Sequence, residues 1–200
     1  MLKIFTLITF SWISLFAMHS AEININKEDL ELVGKLDMGQ INHSVEPDTT
    51  FVGIRLVNGD KVNSDRTRAE NGSYIDLNFL LRNDTQLKGL AIGLGIKINY
   101  ADSFSNDFVS IPLGLEAVYK LPLANLIPMY IGGSLYYAPS VLSLADAEEF
   151  FEYKLNLDLA VIRNGYITIG YRSLDTNYVA KKGGDYNYNS TGYIGFKFAF

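Results

Sequence analysis

The chain holds two histidines, His19 and His43, the side chains best suited to act as a base near neutral pH. His43 stands in GQINHSVEPD, with Ser44 and Asp48 just behind it. Histidine, serine and aspartate are the parts of an acyl-transfer site, and a lipid-directed enzyme would need them converged near a membrane leaflet. Nothing in the spacing fixes that geometry, so His43 reads as a solvated loop residue. His19 lies at the end of an apolar N-terminal stretch and is expected to leave with it. Glu116, Glu152 and Asp158 are candidate acids or bases, but each sits among Lys and Arg positions with which it can pair. DAEEFF and NSDRTRAEN carry acids without the spacing of a calcium loop. The glycines of GLAIGLG alternate along a strand and make no phosphate loop. Cysteine is absent, which excludes disulfides, thiolate metal sites, a thiol nucleophile and a lipid-anchoring cysteine. The net charge of −5 and the lack of a basic run argue against nucleic acid as a partner. No cofactor is implied.

The segments that carry these residues begin after a distinct N-terminus. Lys3 precedes IFTLITFSWISLFA, followed by Ser20, Ala21 and the acidic Glu22. That is the layout of a secretory signal peptide, with cleavage expected near Ser20 or Ala21. Residues 1–21 are therefore expected to be removed and 22–200 to form one domain.

The remainder reads as strands. LELVGKLDMG sets Leu30, Leu32 and Leu36 against Glu31, Lys35 and Asp37. TTFVGIRLVNGD sets Val52, Ile54 and Leu56 against Gly53 and Arg55. SYIDLNFLL, LKGLAIGLGIKINY, FVSIPLGLEAVYKL, MYIGGSLYYAP, FFEYKLNLDLAVI and GYITIGYRS alternate in the same way. The chain closes on TGYIGFKFAF, with Ile194, Phe196, Phe198 and Phe200 on one face and Tyr193, Gly195 and Lys197 on the other. Period-2 alternation over about ten residues marks strands with one apolar face. Nine segments are visible. A tenth can hide in EININ at 22–26, or one weak early segment lies outside the wall and leaves eight. The connection 120–128 has room for one helical turn.

The pattern predicts an all-β fold, an antiparallel up-and-down transmembrane β-barrel of 8–10 strands. The connections alternate in character, RNDTQ (82–86) and RNG (163–165) being tight and 58–72 and 175–190 long and polar. With the C-terminus inside the periplasm, counting back puts both tight turns there and both long loops outside, the habit of outer-membrane barrels. The polar faces then enclose Lys35, Arg55, Lys97, Lys154, Arg172 and Lys197 with Glu31, Asp37, Asp76, Glu116, Glu152 and Asp158, six charges of each sign. Phe51, Tyr100, Tyr119, Tyr137, Phe151, Tyr171 and Phe200 lie near strand ends, where amphipathic rings suit a membrane interface. The competing arrangement is a soluble secreted barrel with the apolar faces inside, around a hydrophobic ligand.

The run GGSLYYAPSVLSLADAEEFFEY, with ITIGYRSLDTNY and GYIGFKFAF, resembles the YfaZ family of small outer-membrane proteins, most closely over the last hundred residues. The resemblance implies an outer-membrane β-barrel of Gram-negative bacteria. It implies no reaction and carries over no site residues. The final strand, with Tyr193, Phe196, Phe198 and the terminal Phe200, is similar to the signal read by the machinery that inserts such barrels. The expectation is a monomeric barrel with lipid as its main partner and a structural or adhesive role through its long loops. A narrow pore, or a barrel that binds a small polar solute, is the second reading.

Overall fold

The computed structural model describes residues 19–60, 71–103, 106–122, 127–145, 147–178 and 185–200. The elements are β1 (Ser20–Ile25), β2 (Asp29–Asp37), a single helical turn α1 (Met38–Ile41), β3 (Thr50–Asp60), β4 (Asn71–Asp84), β5 (Leu90–Ser103) and β6 (Asn106–Ser110). They continue with β7 (Leu113–Lys120), β8 (Met129–Ala138), β9 (Ser143–Ala145), β10 (Ala147–Ile162), β11 (Gly165–Tyr178) and β12 (Asp185–Ala199). All strand pairings are antiparallel. β1 pairs with β12, so the sheet closes on itself and every wall strand has two neighbours. Closure matters because an open edge would leave a row of backbone donors and acceptors unpaired.

The wall has ten strands. β6 and β7 keep one register against β5, from Asn99↔Ser110 to Ile96↔Leu113, and act as a single wall strand. Pro112 interrupts it because proline brings no N–H to the ladder. Its carbonyl still accepts from the Lys97 N–H at 2.9 Å. β9 is a three-residue addition beside β6 and has no counterpart in the sequence pattern. The tenth strand is β1, the segment hidden in EININ. Glu22↔Lys197 and Glu22↔Val33 place it between the last strand and the first predicted one.

The two tight turns lie at the end of the barrel that also holds Phe200, as expected. Thr85 N–H donates to the Leu90 carbonyl across one, and Gly89 adopts φ +88 where a Cβ would press on the Lys120 carbonyl. Asn164 takes the left-handed conformation, φ 62, in the other. At the opposite end β3, β4, β11 and β12 run well into the segments expected as long loops. DAEEFF is likewise strand rather than loop from Ala147 on, because β10 is a 16-residue element paired on both sides. The helical turn expected in 120–128 falls largely on 123–126, outside the described residues.

Solvent exposure along the strands settles which side of the wall is apolar. Ile23, Leu32, Ile54, Leu77, Leu94, Leu115, Leu135, Leu155, Ile169 and Phe196, one from each wall strand, all point outward and are 39–66% exposed. Glu31, Arg55, Asp76, Lys97, Glu152, Asp158 and Arg172 on the same strands point inward and are buried. This is the reverse of a soluble ligand-binding barrel. The wall also carries an apolar furrow of about 370 Å³ where Ala21 and Gly34 are neighbours, flanked by Ile23, Ile54 and Phe198.

Candidate functional site: the ion-paired lumen

Inward positions divide the lumen into layers. Toward the loop end Val57, Tyr74, Ala101, Ala138, Ala147, Phe150 and Leu174 form an apolar cluster, with Leu142 packed against it. Tyr74 and Phe150 stack with centroids 6.3 Å apart. Among the described residues this layer closes the barrel, since Phe150 and Leu174 have no exposed surface.

Charge occupies the middle. Arg55 on β3 donates from both terminal nitrogens to the two carboxylate oxygens of Glu152 on β10, each at 2.8 Å. Its Nε donates to Asp76 at 2.6 Å. Asp76 stands directly across from Arg55 on the neighbouring strand β4. Lys97 on β5 donates to Glu152 at 2.9 Å, and its ammonium lies 3.8 Å from the Tyr136 ring centroid. On the other side of this layer Arg172 meets Glu31 at 2.7 Å and Asp29 at 2.8 Å. Glu31 also accepts from Asn24 at 2.7 Å. Desolvating an ion costs several kcal/mol, so such a layer persists only when each charge has close partners and good geometry. Bidentate Arg–carboxylate pairs supply that geometry.

Below the charge layer the lumen opens. A cavity of about 280 Å³ reaches the end that holds the tight turns. Its sides carry Lys35 with Glu116 at 3.3 Å, Lys154 with Glu22 at 3.3 Å, and Lys197 with Asp158 at 2.6 Å. Exposure grades along the axis, from none at Arg172 to 27% at the Lys35 side chain and 31% at Lys197. The void exists because inward positions there are small: Gly53, Gly132 and Ser134 all line it.

The structure gathers Lys35, Arg55, Asp76, Lys97, Glu116, Glu152, Lys154, Asp158, Arg172, Lys197 and Glu31 in this lumen, as their strand faces predict. Asp37 departs from the group. Its carboxylate accepts the N–H groups of Gly39 and Asp48, both at 2.9 Å, and so ties α1 to the following connection. Phe51 departs from the expected interfacial ring of aromatics. It is 5% exposed and faces the lumen, where the Arg82 guanidinium lies 4.5 Å from its ring centroid. The parity it shares with Arg55 on β3 decides this.

Tyr193 also faces the lumen, beneath Lys154 at 5.0 Å, while Phe196 and Phe198 face out. Phe198 and Phe200 stack 6.0 Å apart on the closing strand. His43 and Ser44 are exposed, and Asp48 lies 3.6 Å from Arg82 instead, so these three do not assemble.

No protein-family model matches the chain, and no curated protein matches it.

The lumen also holds residues that the sequence pattern did not single out. Glu22 and Asn24 belong to β1, where the alternation of EINI was the available signal. Tyr136 and Tyr193 stand on the polar faces of their strands but were not expected as partners of charge, and Tyr74 was not assigned to a face. Tyr136 donates to Glu116 at 2.7 Å, and Asn78 donates to the same oxygen at 3.0 Å. Tyr136 and Tyr193 lie across glycines on the adjacent strands, at Gly114↔Tyr136 and Gly170↔Tyr193. A Cβ on either glycine would collide with the facing ring.

Proposed function

We propose that this chain is a small monomeric outer-membrane β-barrel, closed along its axis, with a structural or adhesive role and no catalytic step. The observation that carries the reading is the continuous apolar belt around a barrel whose charges are turned inward and paired. In water such a belt would be a large unpartnered apolar surface, and lipid covers it at no cost. Strands β3–β5, β8 and β10–β12, of 10–16 residues, are long enough to cross a bilayer. The resemblance to the YfaZ family points the same way. Residues 1–21 then act as an export signal, and the stacked Phe198 and Phe200 end the strand offered to the insertion machinery. The turn end faces the periplasm and the extended loop end faces outward.

A conducting pore is disfavoured by the apolar layer around Phe150 and Leu174. An enzyme is disfavoured by the exposed, unassembled surroundings of His43.

Fractionation tests the reading directly. The mature protein is expected in the outer-membrane fraction, with a folded gel band that shifts on boiling. Recovery as a soluble periplasmic protein without that shift would overturn it.

A further inference from the structure

The cavity at the turn end is more than a gap between ion pairs. It is a dead end, floored by Arg55, Glu152 and Lys97 at 1–5% exposure and open toward the end where Lys35 and Lys197 are partly exposed. At about 280 Å³ it lies just below the range of drug-sized sites. Two of its lateral pairs are long. Lys35–Glu116 and Lys154–Glu22 both stand at 3.3 Å, against 2.6–2.8 Å for Lys197–Asp158 and Arg55–Glu152. Charge-assisted bonds normally close to about 2.7–2.9 Å. These two lysine–glutamate contacts are therefore loose, while Glu116 keeps Tyr136 at 2.7 Å and Glu22 keeps Asn24 at 2.6 Å to hold the carboxylates in place.

We propose that the cavity is a binding site for a small zwitterion of amino-acid size, its carboxylate meeting Lys35 or Lys154 and its ammonium meeting Glu116 or Glu22. The sign balance of the wall selects this class. Acids and bases line it in equal number, six of each, with Asp48 and Arg82 at its mouth beside the pairs named above. A solute with net charge satisfies one wall group and strands that group's former partner in a poorly solvated site. A zwitterion inserts between a lysine and its glutamate and replaces both ends of the pair. Entry from the turn end, and so from the periplasm, rests on the membrane reading above; the binding chemistry does not.

Gly53 supplies the control. It faces the cavity, and a Cβ placed on it meets nothing closer than the Gly34 carbonyl at 3.4 Å and Asn78 Cβ at 3.8 Å. Gly53→Leu puts apolar bulk into the cavity beside Lys35, which stands directly across on β2, and leaves every charged residue of the wall in the sequence. The experiment is titration of the purified full-length barrel in detergent with glycine, L-alanine and L-glutamine, followed by NMR or calorimetry at fixed ionic strength. Acetate and ethylammonium serve as singly charged comparisons.

Saturable binding of at least one amino acid is expected, weakened at least about tenfold by Gly53→Leu and tighter than either singly charged probe. Equal or tighter binding of acetate or ethylammonium would overturn the zwitterion assignment. Absence of saturable binding to the wild-type barrel would overturn the site itself. The boiling-dependent gel shift, measured on the same preparations, reports folding of the variant. With fractionation it tests the membrane reading independently, so the two can fail separately.

Discussion

Arg55 and Glu152 clasp each other across the full diameter of the barrel. Four wall strands separate β3 from β10 in either direction, yet the guanidinium and carboxylate form two bonds of 2.8 Å. The pair works as an internal strut, and Asp76 and Lys97 complete its coordination.

Glu152→Gln leaves Arg55 with Asp76 and takes from Lys97 the carboxylate it meets at 2.9 Å. Breaking a buried pair on one side costs about 3–5 kcal/mol, because the orphaned charge stays in the low-dielectric interior. The urea midpoint of the folded gel band should fall accordingly. Combining Arg55→Gln with Glu152→Gln should cost less than the sum of the single changes, by more than about 0.5 kcal/mol. Strict additivity would mean that the strut carries no coupling.

Leu94→Arg tests the outer face. Leu94 is 66% exposed and pairs with Leu115, also outward, at mid-strand. On a water-facing surface the change would be nearly neutral. In a bilayer an arginine near the midplane costs about 2–4 kcal/mol. Folding yield into lipid vesicles should drop for Leu94→Arg and remain near wild type for Lys88→Arg in the Thr85–Gly89 turn.

Gly114→Val should displace Tyr136. A side chain there collides with the Leu135 carbonyl and the Tyr136 ring, and Tyr136 holds Glu116 at 2.7 Å. Overpacking of this kind costs about 1–3 kcal/mol. Gly53→Ala, with its nearest neighbour at 3.4 Å, should change the urea midpoint little.

The seam between β1 and β12 should depend on residues close to the expected signal cleavage. Ser20 pairs with Ala199 and Ala21 with Phe198, while His19 and Phe200 exchange backbone hydrogen bonds of 2.5 and 2.7 Å. A chain refolded from Glu22 lacks these pairs. It should unfold at lower urea than one beginning at His19, and N-terminal sequencing of the exported protein shows which form exists. Equal midpoints would mean that the seam ends at Glu22.

Planar bilayers containing the wild-type barrel should show no stepwise conductance, because Phe150 and Leu174 are fully buried in the apolar layer. Phe150→Ala should destabilise the barrel by about 3–5 kcal/mol through the void it leaves. Reproducible single-channel steps from the wild type would remove the closed-lumen reading.

Faces of strands were legible in the sequence because alternation is a local property. Arg55, Glu116 and Lys197 could be assigned to the polar faces of their strands from their immediate neighbours alone. Phe51 was misjudged when its type was weighed above its parity, and Asp37 when its parity was weighed above its place before a helical turn. β1 was legible only as a faint EINI because five or six residues give period 2 little length to declare itself. The sequence by itself determined ten-residue amphipathic strands with charge on one face and hydrocarbon on the other, and left to the closed barrel which face turns inward.

Tertiary structure alone decided the rest, for a geometric reason. Strand closure fixes the number and order of wall strands, and that order decides which inward charges face each other across the lumen. Arg55 and Asp76 are cross-strand neighbours, a relation that hairpin register can suggest. Arg55 and Glu152 are 97 residues apart and meet only because β1 and β12 join. The same closure places Gly53, Gly132 and Ser134 around one space, and three small residues on separate strands become a cavity.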